Sequence, residues 1–167
     1  ISIFLFIFIA SPGFSNEKIV YLDVEKIMKD SLAGKSIIAQ LKKKRESSIS
    51  KFKSREKDIF DKEKKLISQK NILSKEEFES KIKDLRNDIS NYQKDRNKTS
   101  NEITKSRVKA STSLISKLTP ILEEYSKKNS IRIIVQKKNI VMGKKEDDIT
   151  SDILELINQK VKSIKID

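Results

Sequence analysis

Asp23 and Asp148 are the two residues whose positions in this sequence could support acid–base or metal chemistry. Asp23 interrupts an apolar, β-branched run, and Asp148 stands just before a segment with a helical pattern. The chain has no His and no Cys, which removes the commonest general base, the thiolate nucleophile and the usual zinc ligands. We therefore favour helix capping and buried hydrogen bonding for both carboxylates. The sequence predicts no enzyme, and hence no catalytic residue, cofactor or metal site.

The second kind of chemistry in the sequence is long-range electrostatics. The formal net charge is +13, from 37 Lys and Arg against 24 Asp and Glu. Between Leu32 and Lys128 there are 26 basic and 14 acidic residues, so 26 − 14 = +12 of the excess lies in that stretch. Lys supplies most of it, and Lys is a hydrated point charge, whereas Arg is the usual bidentate reader of phosphates. This balance favours diffuse attraction of an acidic partner.

The residues that could contact such a partner lie along this basic stretch. The candidates are Lys43, Lys57, Phe60, Lys83 and Lys94. Phe60 is one residue out of phase with Ile59 in the apolar pattern, so we expect its ring to be exposed. Other aromatic residues at heptad spacing, such as Phe52 and Tyr92, are expected to pack in the seam between helices. A merely solvated helix face remains an alternative for any single lysine.

The elements that carry these residues are long helices. Residues 35–119 contain no Gly and no Pro, and Gly34 and Pro120 bracket them. Ser74, followed by Glu77, forms a capping box, which predicts that the stretch divides into two helices. We expect an antiparallel helical hairpin, or arm, over residues 35–112, with its outward helix at Lys35–Ile72 and its tip near 71–74.

Heptad spacing predicts how the two helices of the arm pack. On the outward helix Phe52, Ile59, Leu66 and Leu73 recur every seven residues, with Ile38 in the same phase. On the return helix the apolar residues alternate four and three apart until Tyr92, after which Arg96 and Thr99 weaken the stripe. The pattern is typical of an antiparallel coiled coil with a thin seam.

The remaining residues predict a small body. A first strand (19–24) and a short helix occupy 16–34. Residues 113–167 are expected to form a helix, a β-hairpin pairing 131–136 with 140–142, and a terminal helix capped by Thr150. Because the arm returns to its origin, the strands on either side of it can share one sheet. A body of about 70 residues is marginal alone, which favours oligomerisation. The predicted fold class is α+β, mainly α, with the arm protruding from a small β-sheet oligomerisation body.

An apolar leader precedes the body. Residues 1–10 are almost entirely apolar, and Gly13 and Ser15 stand at −3 and −1 of a cleavage after Ser15. This pattern predicts a secretory signal peptide over residues 1–15, truncated at its start. A membrane anchor is the alternative, but it needs about 20 apolar residues.

Several short segments together resemble the Skp/OmpH family of periplasmic chaperones. They are Ile19–Val24 with Glu25–Met28, Ser31–Lys35, Ile131–Val135, Val141 and Asp148–Thr150, on either side of the charged hairpin. The resemblance implies a homotrimer whose helical arms enclose a cavity for unfolded outer-membrane proteins. It also implies a periplasmic, ATP-independent holdase that prevents their aggregation. The family brings no catalytic residue.

Two other classes share parts of this pattern. A structural coiled-coil protein of the cell envelope would have the arm and the leader, and would be distinguished by a complete seam on both helices. A small basic nucleic-acid-binding protein would share the charge, but the leader argues against nucleic acid as the physiological partner. An anionic lipid surface is a further partner that a basic arm could meet.

Overall fold

The computed structural model describes residues 18–166. It contains two strands, β1 (Lys18–Leu22) and β2 (Ile131–Gln136), and four α-helices, α1 (Val24–Asp30), α2 (Leu32–Ser68), α3 (Lys75–Lys128) and α4 (Thr150–Lys160). Short 3-10 helices lie at Lys137–Asn139 and Lys145–Asp147. The predicted leader (residues 1–15) lies outside the described residues.

The two long helices form the predicted antiparallel pair. Ser74 Oγ accepts a hydrogen bond from Glu77 N at 3.2 Å, and Glu77 Oε2 accepts one from Ser74 N at 3.1 Å, which completes the capping box at the start of α3. Helix α2 begins three residues before the predicted start and ends at Ser68, four residues before the predicted end. At about 1.5 Å per residue its 37 residues extend about 55 Å.

A tight corner joins α1 to α2. Ser31 ends α1 and caps α2, and its Oγ accepts a hydrogen bond from Gly34 N at 3.0 Å. A Cβ on Gly34 would lie 2.0 Å from the carbonyl oxygen of Met28, so only glycine fits this approach. Asn158 of α4 accepts a further hydrogen bond from Leu32 N at 2.7 Å, which satisfies another free donor at the start of α2.

The sheet has two parallel strands among the described residues. In its register Ile19 pairs with Ile133 and Val20 with Ile134. An isolated bridge also joins Tyr21 of β1 to Asp148, and Ile149 N donates a hydrogen bond to Tyr21 O at 3.0 Å. As expected, strands from the two sides of the arm share one sheet.

The predicted β-hairpin is wrong. Residues 137–139 form a 3-10 helix, residues 140–142 form no strand, and the side chains of Val141 and Met142 are almost wholly exposed. A run of three β-prone residues has too few backbone groups to hold a ladder, and β2 instead pairs with β1, far away in sequence. The capping prediction for Thr150 is also wrong, because Thr150 Oγ1 accepts from Asp23 N at 2.9 Å instead.

A single core holds the body together. It combines residues of β1, α1, the base of α2, the end of α3, α4 and the segment after α4. Its buried members are Val20, Leu22, Ile27, Ala33, Ile37, Ala110, Leu114, Leu118, Ile121, Ile149, Ile153, Ile157 and Ile164. Helix α3 continues through Pro120. The small sheet and the two long helices confirm the predicted mainly α, α+β class.

The segment after α4 is fastened to the base of the arm. The side-chain amide of Gln40 donates to Ile164 O at 2.7 Å and accepts from Ile166 N at 3.2 Å. Gln40 thus presents one donor and one acceptor to the tail, much as a neighbouring strand would. Because Ile164 is buried in the core, this contact connects α2 to the body.

Candidate functional site

The candidate site is the surface of the helical pair formed by α2 and α3. Contacts between the two helices show which of their residues lie side by side along the arm. Arg55 pairs with Asp95 at 2.6 Å and Lys62 with Asp88 at 2.5 Å. The hydrogen bond from Lys62 and its charge hold the pKa of Asp88 below its ordinary value. The rings of Phe52 and Tyr92 meet edge to face, with centroids 5.9 Å apart. This contact confirms that both aromatic residues pack in the seam.

The structure places the four candidate lysines on solvent-exposed positions, spread along the arm. Lys43 is near its base, Lys83 near its tip, and Lys57 and Lys94 lie at about the level of the Arg55–Asp95 pair. Lys57 is 3.1 Å from Asp61 on the same helix. Within residues 18–166 the other three lysines have no ion pair. The four therefore do not form one pocket, but distribute charge over the whole surface.

Phe60 is exposed as expected, with 61% of its surface accessible, and it belongs to a larger set. Ile38, Ile49 and Phe60 are eleven residues apart, and Ile67 follows seven residues later. Eleven residues make about three turns of an α-helix, so these four side chains share one face of α2. All four are exposed. We call this set the apolar stripe of α2.

A basic residue accompanies each of the first three members of the apolar stripe. Lys42, Lys53 and Lys64 lie four residues after Ile38, Ile49 and Phe60, respectively, and all three lysines are exposed. Side chains four residues apart are neighbours on a helix surface. The arm therefore repeats an apolar and a cationic contact about every 16 Å over most of its length.

Ile38 was expected in the seam, and the structure corrects this. It is 49% exposed, while Ile37 takes the buried position at the base of the arm. A straight α-helix drifts by about 20° per heptad against a seven-residue repeat, so a residue two heptads from Phe52 has turned out of the seam. The same drift places Ile38 in line with the apolar stripe.

The two aspartates have structural roles, as expected. Asp23 Oδ1 accepts a hydrogen bond from Lys26 N at 2.8 Å and caps α1. Asp148 Oδ1 accepts from Thr150 N at 3.0 Å, and its Oδ2 lies 2.7 Å from Lys137 Nζ. Burial acts to raise the pKa of Asp148, but these hydrogen bonds outweigh it and hold the pKa below its ordinary value. Each carboxylate is thus used to join local elements.

Metal sites and membrane-spanning helices are two further possibilities for the described chain. In residues 18–166 no three acidic side chains converge as metal ligands would. None of the helices described there combines the length and the apolar character needed to cross a bilayer.

Sequence reasoning missed two features of this surface. The apolar stripe could have been found from its eleven-residue spacing, but a search for heptads assigns Ile38 to the seam and leaves Ile49 unexplained. The second feature is an open groove at mid-arm, between Ser48 of α2 and Thr99 of α3. The sequence did indicate a gap here, because the apolar pattern of the return helix weakens at Arg96 and Thr99.

Comparisons with known proteins agree with this architecture. A family model described as "Outer membrane protein (OmpH-like)" matches residues 18–157. A Skp-like protein from Pseudomonas aeruginosa is 27% identical over 154 residues, which cover 90% of this chain and 89% of that protein. A crystal structure from Caulobacter crescentus, assigned as an outer membrane chaperone (OmpH-like), matches 96% of this chain and 95% of its own, with a TM-score of 0.85 and 15% identity.

Proposed function

Because the chain belongs to the OmpH-like family of outer membrane proteins, we propose that it is a chaperone that holds unfolded outer-membrane β-barrel proteins in the periplasm. The observation that carries this proposal is the repeated pairing of an exposed apolar side chain with a lysine along α2. An unfolded β-barrel chain exposes apolar side chains all along its length, so a periodic surface can bind it in any register. Holding a chain in this way needs no ATP.

The two kinds of contact on the arm have different tasks in this mechanism. The excess positive charge attracts an acidic chain over distances near the Debye length, about 8 Å at physiological salt, and so raises the rate of association. The apolar stripe then retains the chain at short range, where burial of apolar surface is favourable whatever the salt concentration. Two clients held on separate chaperones do not meet, which suppresses aggregation.

We further propose that the protein assembles through its body as a homotrimer. Ile19 and Ile133 are partners in the sheet register, and both are exposed on the same face of the sheet. Val141 and Met142 add two exposed apolar side chains to the body. A two-stranded sheet is marginal by itself, and burial against other copies would stabilise it. The number three comes from the resemblance to Skp/OmpH proteins.

Charge reversal on the arm tests the electrostatic part of this mechanism. Changing Lys43, Lys57, Lys83 and Lys94 to Glu should slow association with an unfolded, acidic β-barrel protein about tenfold at low salt. Stopped-flow fluorescence measures the rate, and light scattering measures aggregation of the client. Raising the salt should narrow the difference between variant and wild type, because exposed charges are screened.

A matched control separates location from total charge. Reversing Lys29, Lys138, Lys145 and Lys165, which are exposed residues outside the arm, changes the net charge equally and should affect the rate much less. Equal rates for wild type and arm variant at low salt would contradict electrostatic capture. A wild-type protein that leaves client aggregation unchanged would contradict the chaperone role and favour a structural envelope protein. Vesicles with and without an anionic lipid would show whether a membrane surface competes for the same charge.

A further inference from the structure

The mid-arm groove is a gap in the packing of α2 against α3. It lies where Ser48, Arg96 and Thr99 replace the large apolar residues that the seam requires elsewhere. The groove has a volume of about 600 Å³, which is within the range of about 300–1,000 Å³ found for ligand sites. The gap therefore has the dimensions of a binding site.

The floor of the groove is apolar and partly aromatic. Phe52, Tyr92 and Ile103 line it, and Ile49 of the apolar stripe stands at its edge. Tyr92 is buried, and its edge-to-face contact with Phe52 holds both rings in place. A further aromatic or aliphatic side chain that entered from solvent would lose its hydration and contact these rings. The floor therefore favours an apolar ligand group.

The rim of the groove is mainly cationic. Arg45, Lys53 and Arg96 line it together with one acidic residue, Glu56. The structure, as described over residues 18–166, gives none of these three cations an ion pair. Arg guanidinium groups bind carboxylates through two parallel hydrogen bonds, and two of the three cations are arginines. Charge complementarity therefore points to an acidic group next to the apolar one.

We propose that this groove is a specific binding site for a short client segment in which an aromatic or aliphatic side chain adjoins an acidic residue. This proposal rests on the proposed chaperone function and deepens it. The apolar side chain occupies the floor, and the carboxylate meets Arg45 or Arg96 at the rim. The remainder of the arm supplies weaker, repeated contacts. The groove therefore selects which part of an unfolded chain is held at mid-arm.

Tryptophan fluorescence offers a direct test, because the chain contains no Trp. The probe is a ten-residue peptide in which Asp alternates with Trp and Val, and its partner peptide has Lys in place of each Asp. We expect the acidic peptide to bind saturably to the full-length protein with a blue shift of its emission, and the basic peptide to bind at least tenfold more weakly. Higher salt should weaken the binding of the acidic peptide.

Two sets of variants locate the binding. Arg45→Glu with Arg96→Glu should lower the affinity for the acidic peptide about tenfold, whereas Arg86→Glu with Arg107→Glu makes the same charge change outside the groove and should lower it less than threefold. Ser48→Leu with Thr99→Leu fills the floor. This pair should raise the thermal stability of the arm and abolish peptide binding, a combination that unfolding cannot produce.

The outcomes separate this proposal from the function on which it rests. Equal affinity of both arginine double variants for the acidic peptide would contradict a specific binding site in the groove. Equal binding of the acidic and basic peptides would contradict it as well. If neither peptide binds while aggregation of the full-length client is still suppressed, the proposed binding site is wrong and the chaperone function stands. If the acidic peptide binds in the groove while the client aggregates freely, the ligand chemistry is supported and the chaperone function is wrong.

Discussion

The body and the arm of this protein bury their side chains very differently. In the body, residues from both sides of the arm meet in one core, and Leu22, Ile27, Leu114, Ile153 and Ile157 are fully buried. Along the arm, between Ile37 and Ala110, the described chain has two buried hydrophobic residues, Leu66 and Tyr92. The body therefore carries the stability of the fold, and the arm leaves most of its surface available.

This difference suggests how one small chain can combine order with exposure. Long helices with a thin seam would be marginal alone, because most helical stability comes from packing. Here both ends of the arm are fixed in the body, through the corner at Ser31 and the contacts of Leu114 and Leu118 with the core. Ion pairs such as Arg55–Asp95 add cross-helix contacts along the arm without closing its surface.

The largest expected effect comes from a charge in the body core. Leu118 is 3% exposed, so Leu118→Asp should lower the free energy of unfolding by at least about 3 kcal/mol, through lost packing and an unpaired buried charge. Thermal unfolding followed by circular dichroism measures this. The matched control is Ile115→Asp on the same helix, where 48% exposure predicts a change within about 0.5 kcal/mol. Similar losses in both variants would mean that the two sides of this helix are not as different as their burial indicates.

Shortening the arm should affect binding without affecting the body. Residues 59–65 and 85–91 lie at the same level, since Lys62 pairs with Asp88, and deleting both removes two turns from each helix while keeping the tip. The arm becomes about 10 Å shorter. The unfolding transition of the body core should stay within a few degrees of wild type, while the amount of client protected from aggregation falls. A large loss of thermal stability would show that the arm contributes to the stability of the body, and would contradict a body that is stable without it.

The smallest expected effect concerns acid stability. The folded state lowers the pKa of Asp148, so its contribution is present above the unfolded pKa of about 4 and is lost as the pH falls through the folded value. Asp148→Asn should therefore lower the stability by about 1 kcal/mol at pH 7, and by less at pH 3. Urea unfolding at the two pH values measures this. Asp88→Asn on the arm, where the pKa is also lowered but the pair is exposed, should cost less at pH 7. A larger loss of stability for Asp88→Asn than for Asp148→Asn would contradict the conclusion that the body carries the stability of the fold.

Local signals in the sequence were sufficient for the helices and their direction. The capping box at Ser74 and Glu77 divides the long helical stretch, and heptad spacing predicted that Phe52 and Tyr92 pack in the seam, where their rings meet. The exposure of Phe60 followed from its phase. The same reasoning failed at Ile38 and at residues 140–142, where the outcome depends on accumulated helix drift or on which distant strand is available for pairing.

The sequence by itself determined the composition of the surface and the length of the arm. Net charge and the absence of Gly and Pro over residues 35–119 follow from composition alone, and the capping box of Ser74 and Glu77 joins residues three apart, which need no distant partner. The tertiary structure decided the parallel pairing of β1 with β2, the hydrogen bonds of Gln40 with the segment after α4, and the gap between Ser48 and Thr99. Each of these depends on the distance between residues far apart in sequence, and such distances are set only when the core of the body has packed.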